Sequence, residues 1–460
     1  MTIATRRRGQ GLLAGIALCA LMAGSAAADT IEGALAKAYV NNPTLNAQRA
    51  SLRATDELVP QALSGYRPTV DMQLSAGREV LGSRTDVAIN SGSLTPRSAS
   101  ITATQNIFDG FRTRNNTRAS ESQVLSARET LRNAVQNTLY DAAVAYMDVL
   151  RDAAILDLRK NNLEVLEEEL RSTRERFNVG VVTRTDVAQA ESAVAGAKSD
   201  VSGAEATLNT SRGNYRKVIG VEAGKPVPAR AIDRLLPRSL SSAVDVSQAE
   251  HPAIRAALHG VDAAQIQIRS IEGELLPTLQ LQGNVTGAVE QQLSVHRSRS
   301  ASILGVLSVP IYEGGQVYSR VRQAKETAGQ RRLEADEARD EVRAAVVSAW
   351  GSLEAARAQI ISAQAQVDAA QVAFAGTREE VRVGERTTLD LLIQQQALLD
   401  ARTSLVQAQR DRIVASYALL SAVGWLSTGR LGLKVQTYDP TRHYNQVRDK
   451  WIGLRTPSGQ

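Results

Sequence analysis

The sequence predicts a mostly α-helical fold with a membrane β-barrel portion, built as an internal two-fold repeat. Three observations predict it: paired markers at a constant offset, a seven-residue apolar period in two long segments, and a period of two in four short ones. Asn42-Pro43 recurs as His251-Pro252, and Pro68-Thr69-Val70 as Pro277-Thr278-Leu279, both 209 residues later. Ile107-Phe108-Asp109-Gly110 recurs as Ile311-Tyr312-Glu313-Gly314, 204 residues later. That second offset holds through Val179-Gly180 and Val383-Gly384, Thr185-Asp186-Val187 and Leu389-Asp390-Leu391, and Ile219-Gly220 and Val423-Gly424. One unit has been duplicated, with five residues lost between Pro277 and Tyr312. Such symmetry suits a duct or an assembly better than a catalytic cleft. The copies are expected at 29–220 and 245–424, with a linker at 221–244 and a tail at 425–460.

Residues 1–28 read as a secretory signal peptide. Arg6-Arg7-Arg8 is its basic region, Leu12 to Met22 its apolar region, and Ala26-Ala27-Ala28 its small-residue cleavage site. The chain's one cysteine, Cys19, lies inside this signal. Bulky Leu18 before it argues against lipidation. The mature chain, expected from Asp29, therefore has neither a disulfide framework nor a thiolate metal site. The net charge of +6 includes the three signal arginines, which leaves about +3 for the mature chain and implies little about nucleic acid.

After the signal, no run of about 18 apolar residues could form a membrane helix. Aromatic residues are 4% of the chain and alanine is abundant, which points to long, closely packed helices. A short helical segment comes first. Two strand pairs follow the proline markers, at about 69–108 and 278–312. Val70, Met72, Leu74 and Ala76 alternate with Thr69, Asp71, Gln73 and Ser75; Ala99, Ile101, Ala103 and Ile107 alternate with Ser100, Thr102, Thr104 and Asn106. The second copy alternates Leu279, Leu281, Gly283 and Val285 with polar residues, and Ala301, Ile303, Gly305, Leu307, Val309 and Ile311 complete the fourth strand. Polar loops are expected at about 82–97 and 290–299. Strands of about ten residues with one apolar and one polar face match those of an outer-membrane barrel.

The long helices follow. Arg112 to Asn178 contains no proline. Its seam reads Ala142, Val149, Leu156, Leu163, Leu170, Phe177, and the second copy reads Val346, Leu353, Ile360, Val367, Phe374, Val381. This is a coiled-coil-like period. A helix of about 66 residues is roughly 100 Å long, about three times a bilayer's hydrocarbon thickness. With charges such as Glu167-Glu168-Glu169 it must project into water. Gly180 and Gly384 end the helices. Thr183-x-x-Asp186 and Thr387-x-x-Asp390 then read as capping boxes that start return helices, about Asp186 to Val218 and Asp390 to Ala422.

Four strands cannot close a barrel, and lipid tolerates no open edge. Two chains would give eight strands with a filled interior; three would give twelve and a water-filled lumen. A homotrimer is therefore expected.

The markers resemble the TolC family of outer-membrane efflux proteins over about residues 29–424. They are Asn41-Asn42-Pro43, Tyr66-Arg67-Pro68, Phe108-Asp109-Gly110, Tyr312-Glu313-Gly314-Gly315, Arg176-Phe177-Asn178-Val179-Gly180 with Thr185-Asp186-Val187, and Val383-Gly384-Glu385-Arg386. The resemblance implies a homotrimeric duct: a twelve-stranded barrel in outer-membrane lipid, continued by a helical tunnel through the periplasm. It implies multidrug efflux or type I secretion, with a periplasmic adaptor and an inner-membrane RND or ABC transporter as partners. It also implies an entrance at the helical hairpins, where Asp186, with neighbouring Thr185, and Arg386 help hold the channel shut. Asp390 corresponds to the family's first acidic ring at the narrowest point. Val381 and Ile393 replace a tyrosine and a second acidic residue of that pattern, so the closed state would be held differently.

His251 stands at a turn before proline. His259, His296 and His443 stand alone, without a ligand cluster at metal spacing. No serine-nucleophile motif or phosphate-binding glycine loop appears. The sequence thus argues against an enzyme, a metal site, a cofactor and a nucleic-acid partner. The competing class is a structural protein, a periplasm-spanning coiled coil or adhesin, which would not need two matched strand pairs. The linker, with Pro226, Pro228 and Pro237, is expected around the outside of the helices, and the tail has no counterpart in the first copy.

Overall fold

The computed structural model describes residues 30–84, 89–292, 295–457 and 459. The expected signal peptide, its cleavage site and Cys19 lie outside the described residues. The chain starts with α1 (Ile31–Asn41), α2 (Pro43–Asp56) and α3 (Leu58–Leu63). Strands β1 (Thr69–Ala76), β2 (Glu79–Arg84), β3 (Ile89–Leu94) and β4 (Arg97–Phe108) lead into the long α4 (Arg112–Asn178) and its return helix α5 (Arg184–Ile219). The second repeat comprises α6 (Leu240–Glu250), α7 (Pro252–Glu272), β5 (Thr278–Gln292), β6 (Val295–Ser308), α8 (Gln316–Arg382) and α9 (Thr388–Ala422), and the tail adds α10 (Pro440–Val447). Among the described residues no helix is long and apolar enough to cross a membrane.

The repeat is visible in local chemistry. Asn42 caps α2 by accepting from the Leu45 N–H at 2.9 Å, while its Nδ2 donates to the Val218 carbonyl at 2.7 Å, tying the start of the repeat to the end of α5. His251 does the same for α7. Its Nδ1 accepts from the Ala253 N–H at 3.2 Å, and its ring lies by the Ser421 backbone near the end of α9. Proline follows both caps at the first helical position, where its missing N–H costs nothing.

The main sheet has strand order β1-β4-β5-β6, antiparallel throughout. Its register places the expected apolar residues in shared rows. Val70, Ala103, Gly283 and Ile303 form one row, and Met72, Ile101, Val285 and Ala301 the next. The opposite face has rows such as Asp71, Thr102, Asn284 and Ser302. Because the side-chain period is two, this agreement across four strands fixes the register.

Three strand details differ from expectation. The segment expected as a polar loop at 82–97 includes most of a separate β2–β3 ribbon, and much of the expected 290–299 loop belongs to β5 and β6. Polar side chains do not prevent pairing, because the ladder bonds are made by the backbone. Strand β6 stops at Ser308, short of Val309 and Ile311, because Pro310 has no N–H for the ladder. Ile107 lies in a bulge, where the register jumps between Asn106 and Phe108.

Both long helices contain 67 residues, about 100 Å at 1.5 Å each. The first half of the α4 seam is buried at Ala142, Val149 and Leu156. Toward the far end the seam opens. Leu163 and Leu170 only flank a small cluster of Leu166, Val194 and Ala197, and Phe177 is 42% exposed. The near half contributes to the main core with α1, α5, α9 and the tail, whereas the far half contributes only the small cluster it forms with α5 and Leu392 of α9. In α8 the seam is buried at Val346, Leu353, Val367 and Val381 and half-buried at Ile360 and Phe374.

The core gathers where both repeats and the tail meet: Leu35, Tyr146, Tyr215, Ile219, Tyr417 and Leu420 with Leu426 of the tail. The Tyr146 hydroxyl donates to the Val227 carbonyl at 2.7 Å and accepts from its N–H at 2.9 Å, which fixes the linker against α4. The tail is placed by specific contacts. Trp425 Nε1 donates to Glu250 at 2.9 Å, the Tyr438 N–H donates to the Tyr39 hydroxyl at 2.9 Å, and Arg49 lies over the rings of both Tyr39 and Tyr438. His443 is not isolated, as its sequence neighbours suggested. Its Nδ1 lies 3.0 Å from Asp56 Oδ2 in a buried pair. Burial pushes the Asp56 carboxyl above its ordinary value, with the His443 contact opposing that shift.

Candidate functional site

The site of interest is the pair of hairpin tips at the end of the long helices. Each long helix ends in the same motif. The Gly180 N–H donates to the Phe177 carbonyl and the Val181 N–H to the Arg176 carbonyl, both at 2.9 Å. Gly384 and Glu385 repeat this onto Val381 and Glu380. These bonds need a left-handed residue, and the φ angles are +80° at Gly180 and +84° at Gly384, where a side chain would be strained.

The return helices start with complete capping boxes. The Thr183 N–H and hydroxyl donate to Asp186 Oδ2 at 2.9 and 2.7 Å, and the Asp186 N–H donates back to Thr183 Oγ1. Thr387 and Asp390 repeat this with distances of 3.1 and 2.8 Å. The Thr183 hydroxyl, and then its N–H, hold the Asp186 carboxyl below its ordinary value. The Thr387 hydroxyl and N–H do the same for Asp390, with a smaller contribution from nearby Arg386. Both carboxylates are therefore charged at neutral pH. Each caps its helix with one oxygen, Oδ2, which leaves Oδ1 for a second partner. Thr185 occupies the second helical position of α5, beside Asp186.

Within one chain the structure pairs Arg386 with Glu380, Nε to Oε2 at 3.2 Å, and gives Asp186 no cationic contact among the described residues. The two residues sit on equivalent turns of the two hairpins. Val381 is buried near the end of α8, whereas Ile393 is exposed on α9.

Several contacts at the tips were not read from the sequence. Arg174 bridges to Glu191 at 2.6 Å and Lys198 to Glu167 at 3.0 Å, locking α5 onto α4. Asn162, buried on α4, accepts from Gln395 Nε2 of α9 at 2.7 Å, which joins the two repeats below the tips. Polar residues at a seam edge are a sequence signal for such a bond, but their partner lies 233 positions away. Between the hairpins, Val165, Leu166, Phe374, Leu391 and Leu392 line a small cavity of ≈ 170 Å³. The tips also expose Val179, Val181, Val383 and Leu389. Chemically the site offers fixed negative charges, a partly exposed arginine paired with Glu380, and apolar turn residues. Among the described residues no group of side chains could hold a metal ion.

Comparison with known proteins gives a consistent result. The family model described as outer membrane efflux protein matches residues 34–221 and 243–425. The chain is 42% identical over 441 residues to the outer membrane efflux protein BepC of Brucella suis biovar 1 (strain 1330), covering 95% of this chain and 94% of that one. It is 27% identical over 417 residues to the outer membrane protein TolC of Escherichia coli (strain K12), covering 85% of this chain and 81% of that one. In fold it is similar to the Campylobacter jejuni CmeC outer membrane channel, with a TM-score of 0.77 at 17% identity, over 91% of this chain and 89% of that one.

Proposed function

The chain belongs to the outer membrane efflux protein family; it is an outer-membrane exit duct, and we propose that three copies assemble it. The observation that carries this reading is the pair of open sheet edges. β1 and β6 each have one unpaired side, and both run fully exposed along their length. An open edge is untenable in lipid. Four alternating strands per chain bring β6 of one copy antiparallel to β1 of the next, so the ring closes without a parallel seam. Three copies give twelve strands, the smallest cyclic closure that leaves a water-filled lumen. The half-open seam at Leu163, Leu170 and Phe177 provides a face for the neighbouring copy. Crosslinking or native mass measurement in mild detergent should give trimers; monomers alone would overturn the assembly.

The duct is passive in this reading. Efflux or type I secretion is driven by an RND or ABC transporter in the inner membrane, joined through a periplasmic adaptor. The exposed valines of the tips are the face offered to that adaptor. The chain contributes no catalytic step. The entrance is gated where the hairpins converge. Arg386 of one copy pairs with Asp186 of the next, using the oxygen that the capping box leaves free, and Asp390 lines the narrowest point. A partly exposed pair is worth about 1 kcal/mol, and three related by symmetry bias the closed state by roughly a hundredfold. Single-channel recording of Asp186→Ala and Arg386→Ser tests this: both should conduct more than wild type. Unchanged conductance in both would reduce these residues to helix-end chemistry.

A further inference from the structure

The tail past α10 forms a small loop whose large apolar residues are exposed. The Lys450 carbonyl accepts from Arg67 Nη1 at 2.9 Å, and Lys450 Nζ donates to the Arg455 carbonyl at 2.6 Å, closing the loop. The Arg67 guanidinium also lies 4.8 Å from the Trp451 ring centroid. Gly453 takes a φ of +113° at the turn. The loop presents Trp451, Ile452 and Leu454 at 66%, 88% and 103% exposure. Arg448, Lys450 and Arg455 flank them against one acid, Asp449. A loop closed on itself, tied to Arg67 at Lys450, that exposes three large apolar side chains between cations is not an ordinary solvated tail.

Its position says what it meets. Arg67 directly precedes Pro68 and β1, so the loop sits at the level where the apolar strand faces begin. The same level exposes Tyr66 and Phe111 in the first repeat and Ile311 and Tyr312 in the second. Aromatic residues at the boundary of an apolar band are the usual companions of a bilayer interface, where the ring is half in hydrocarbon and half in water. Cations beside them suit anionic phospholipid headgroups.

We propose that the loop from Lys450 to Arg455 is an interfacial anchor, with Trp451, Ile452 and Leu454 inserted into the periplasm-facing leaflet and Arg448, Lys450 and Arg455 on its phosphates. The buried Asp56–His443 pair and the Arg67 contacts hold it at that depth. The anchor ties the wrapped tail, and through it α2 and α4, to the membrane surface. This inference rests on the barrel being inserted in the membrane.

The test is fluorescence quenching by brominated phospholipids in the reconstituted full-length protein. The chain has three tryptophans, so the difference between wild type and Trp451→Phe isolates Trp451. At a depth of about 5–10 Å in the interface, Trp451 should lose roughly half or more of its emission to brominated chains. Its emission in ordinary lipid should be blue-shifted. Unquenched, red emission would place the loop in water, and unquenched, blue emission would place it against a neighbouring subunit; either overturns the proposal. Ile303→Trp on the Trp451→Phe background is the control for the barrel itself, since Ile303 lies in an apolar row. If Ile303→Trp is quenched and Trp451 is not, the anchor fails and the duct stands. If neither is quenched, the insertion of the barrel fails as well.

Discussion

His251 offers a pH-dependent test with its own internal control. It holds in the second repeat the position that Asn42 holds in the first, capping one helix and reaching the end of another. His251 is only 8% exposed, and burial pushes its pKa down from 6.5 to about 4, with the Ser421 backbone opposing the shift and Arg132 adding to it. The unfolded chain takes up a proton below pH ~6.5 that the folded chain refuses until pH ~4. The stability supplied by the neutral ring is therefore fully present above 6.5 and lost as the pH falls toward 4. At about 1.4 kcal/mol per pH unit, that interval amounts to ~3 kcal/mol per chain. His251→Asn recreates the first repeat's cap and removes the titration. Denaturant unfolding of the detergent-solubilised protein, near pH 7 and near pH 4, gives the comparison. Wild type should lose ~3 kcal/mol more than His251→Asn between the two. Asp56 works the opposite way, because its raised pKa favours the protonated folded form, but it is common to both proteins and cancels. Equal losses in wild type and His251→Asn would mean that the His251 ring does not titrate between folded and unfolded chains as its burial implies.

Other substitutions probe separate parts of the account. Leu156→Asp puts an unpaired charge into the buried seam and should cost several kcal/mol, seen as lost trimer on a native gel, while Glu168→Asp on the exposed face should change stability by less than about 0.5 kcal/mol. Ile360→Asp should also be costly, though less so, because Ile360 is only half-buried. Gly110→Ala should destabilise the junction of sheet and helix strongly, since φ is +69° and a Cβ there would lie 2.1 Å from the Gly273 carbonyl oxygen. Gly180→Ala has open space and should show only backbone strain of ~1 kcal/mol, so thermal melting should rank Gly110→Ala well below it. Asp390→Ala should leave conductance near wild type but weaken cation preference and block by multivalent cations, measured as a reversal potential in a salt gradient.

The repeat, the long helices and the tips were legible because each rests on local chemistry. Gly180 and Gly384 mark left-handed turns, Thr183 and Thr387 reach a carboxylate three residues on, and the first long helix spans Arg112–Asn178 as expected, with the second ending just before Val383-Gly384. Strand faces were legible for the same reason: a period of two survives in Val70, Met72 and Leu74 and in their partners. The misread parts depend on context. Residues 82–84 and 89–94 pair as strands although their polarity reads as loop, because pairing there is set by the facing segment. The seam at Leu163 and Phe177 is apolar but only partly covered within one chain, because a heptad period reports an apolar stripe and not what packs on it. His443 looked isolated because Asp56 lies 387 positions away. The same distance effect hid Gln395 from Asn162 and the whole tail from the first repeat. Arg386 is the inverse case: the carboxylate it meets within one chain, Glu380, lies six positions away, and the proposed gating contact would lie between copies.

The central claim is that three copies form a water-filled duct, and single-channel recording of the purified protein in planar bilayers tests it most directly. A particle that crosslinks as a trimer should give discrete conductance steps in a low-conducting state, with larger steps from Arg386→Ser. A trimer that inserts and never conducts, in wild type or in that variant, would contradict it.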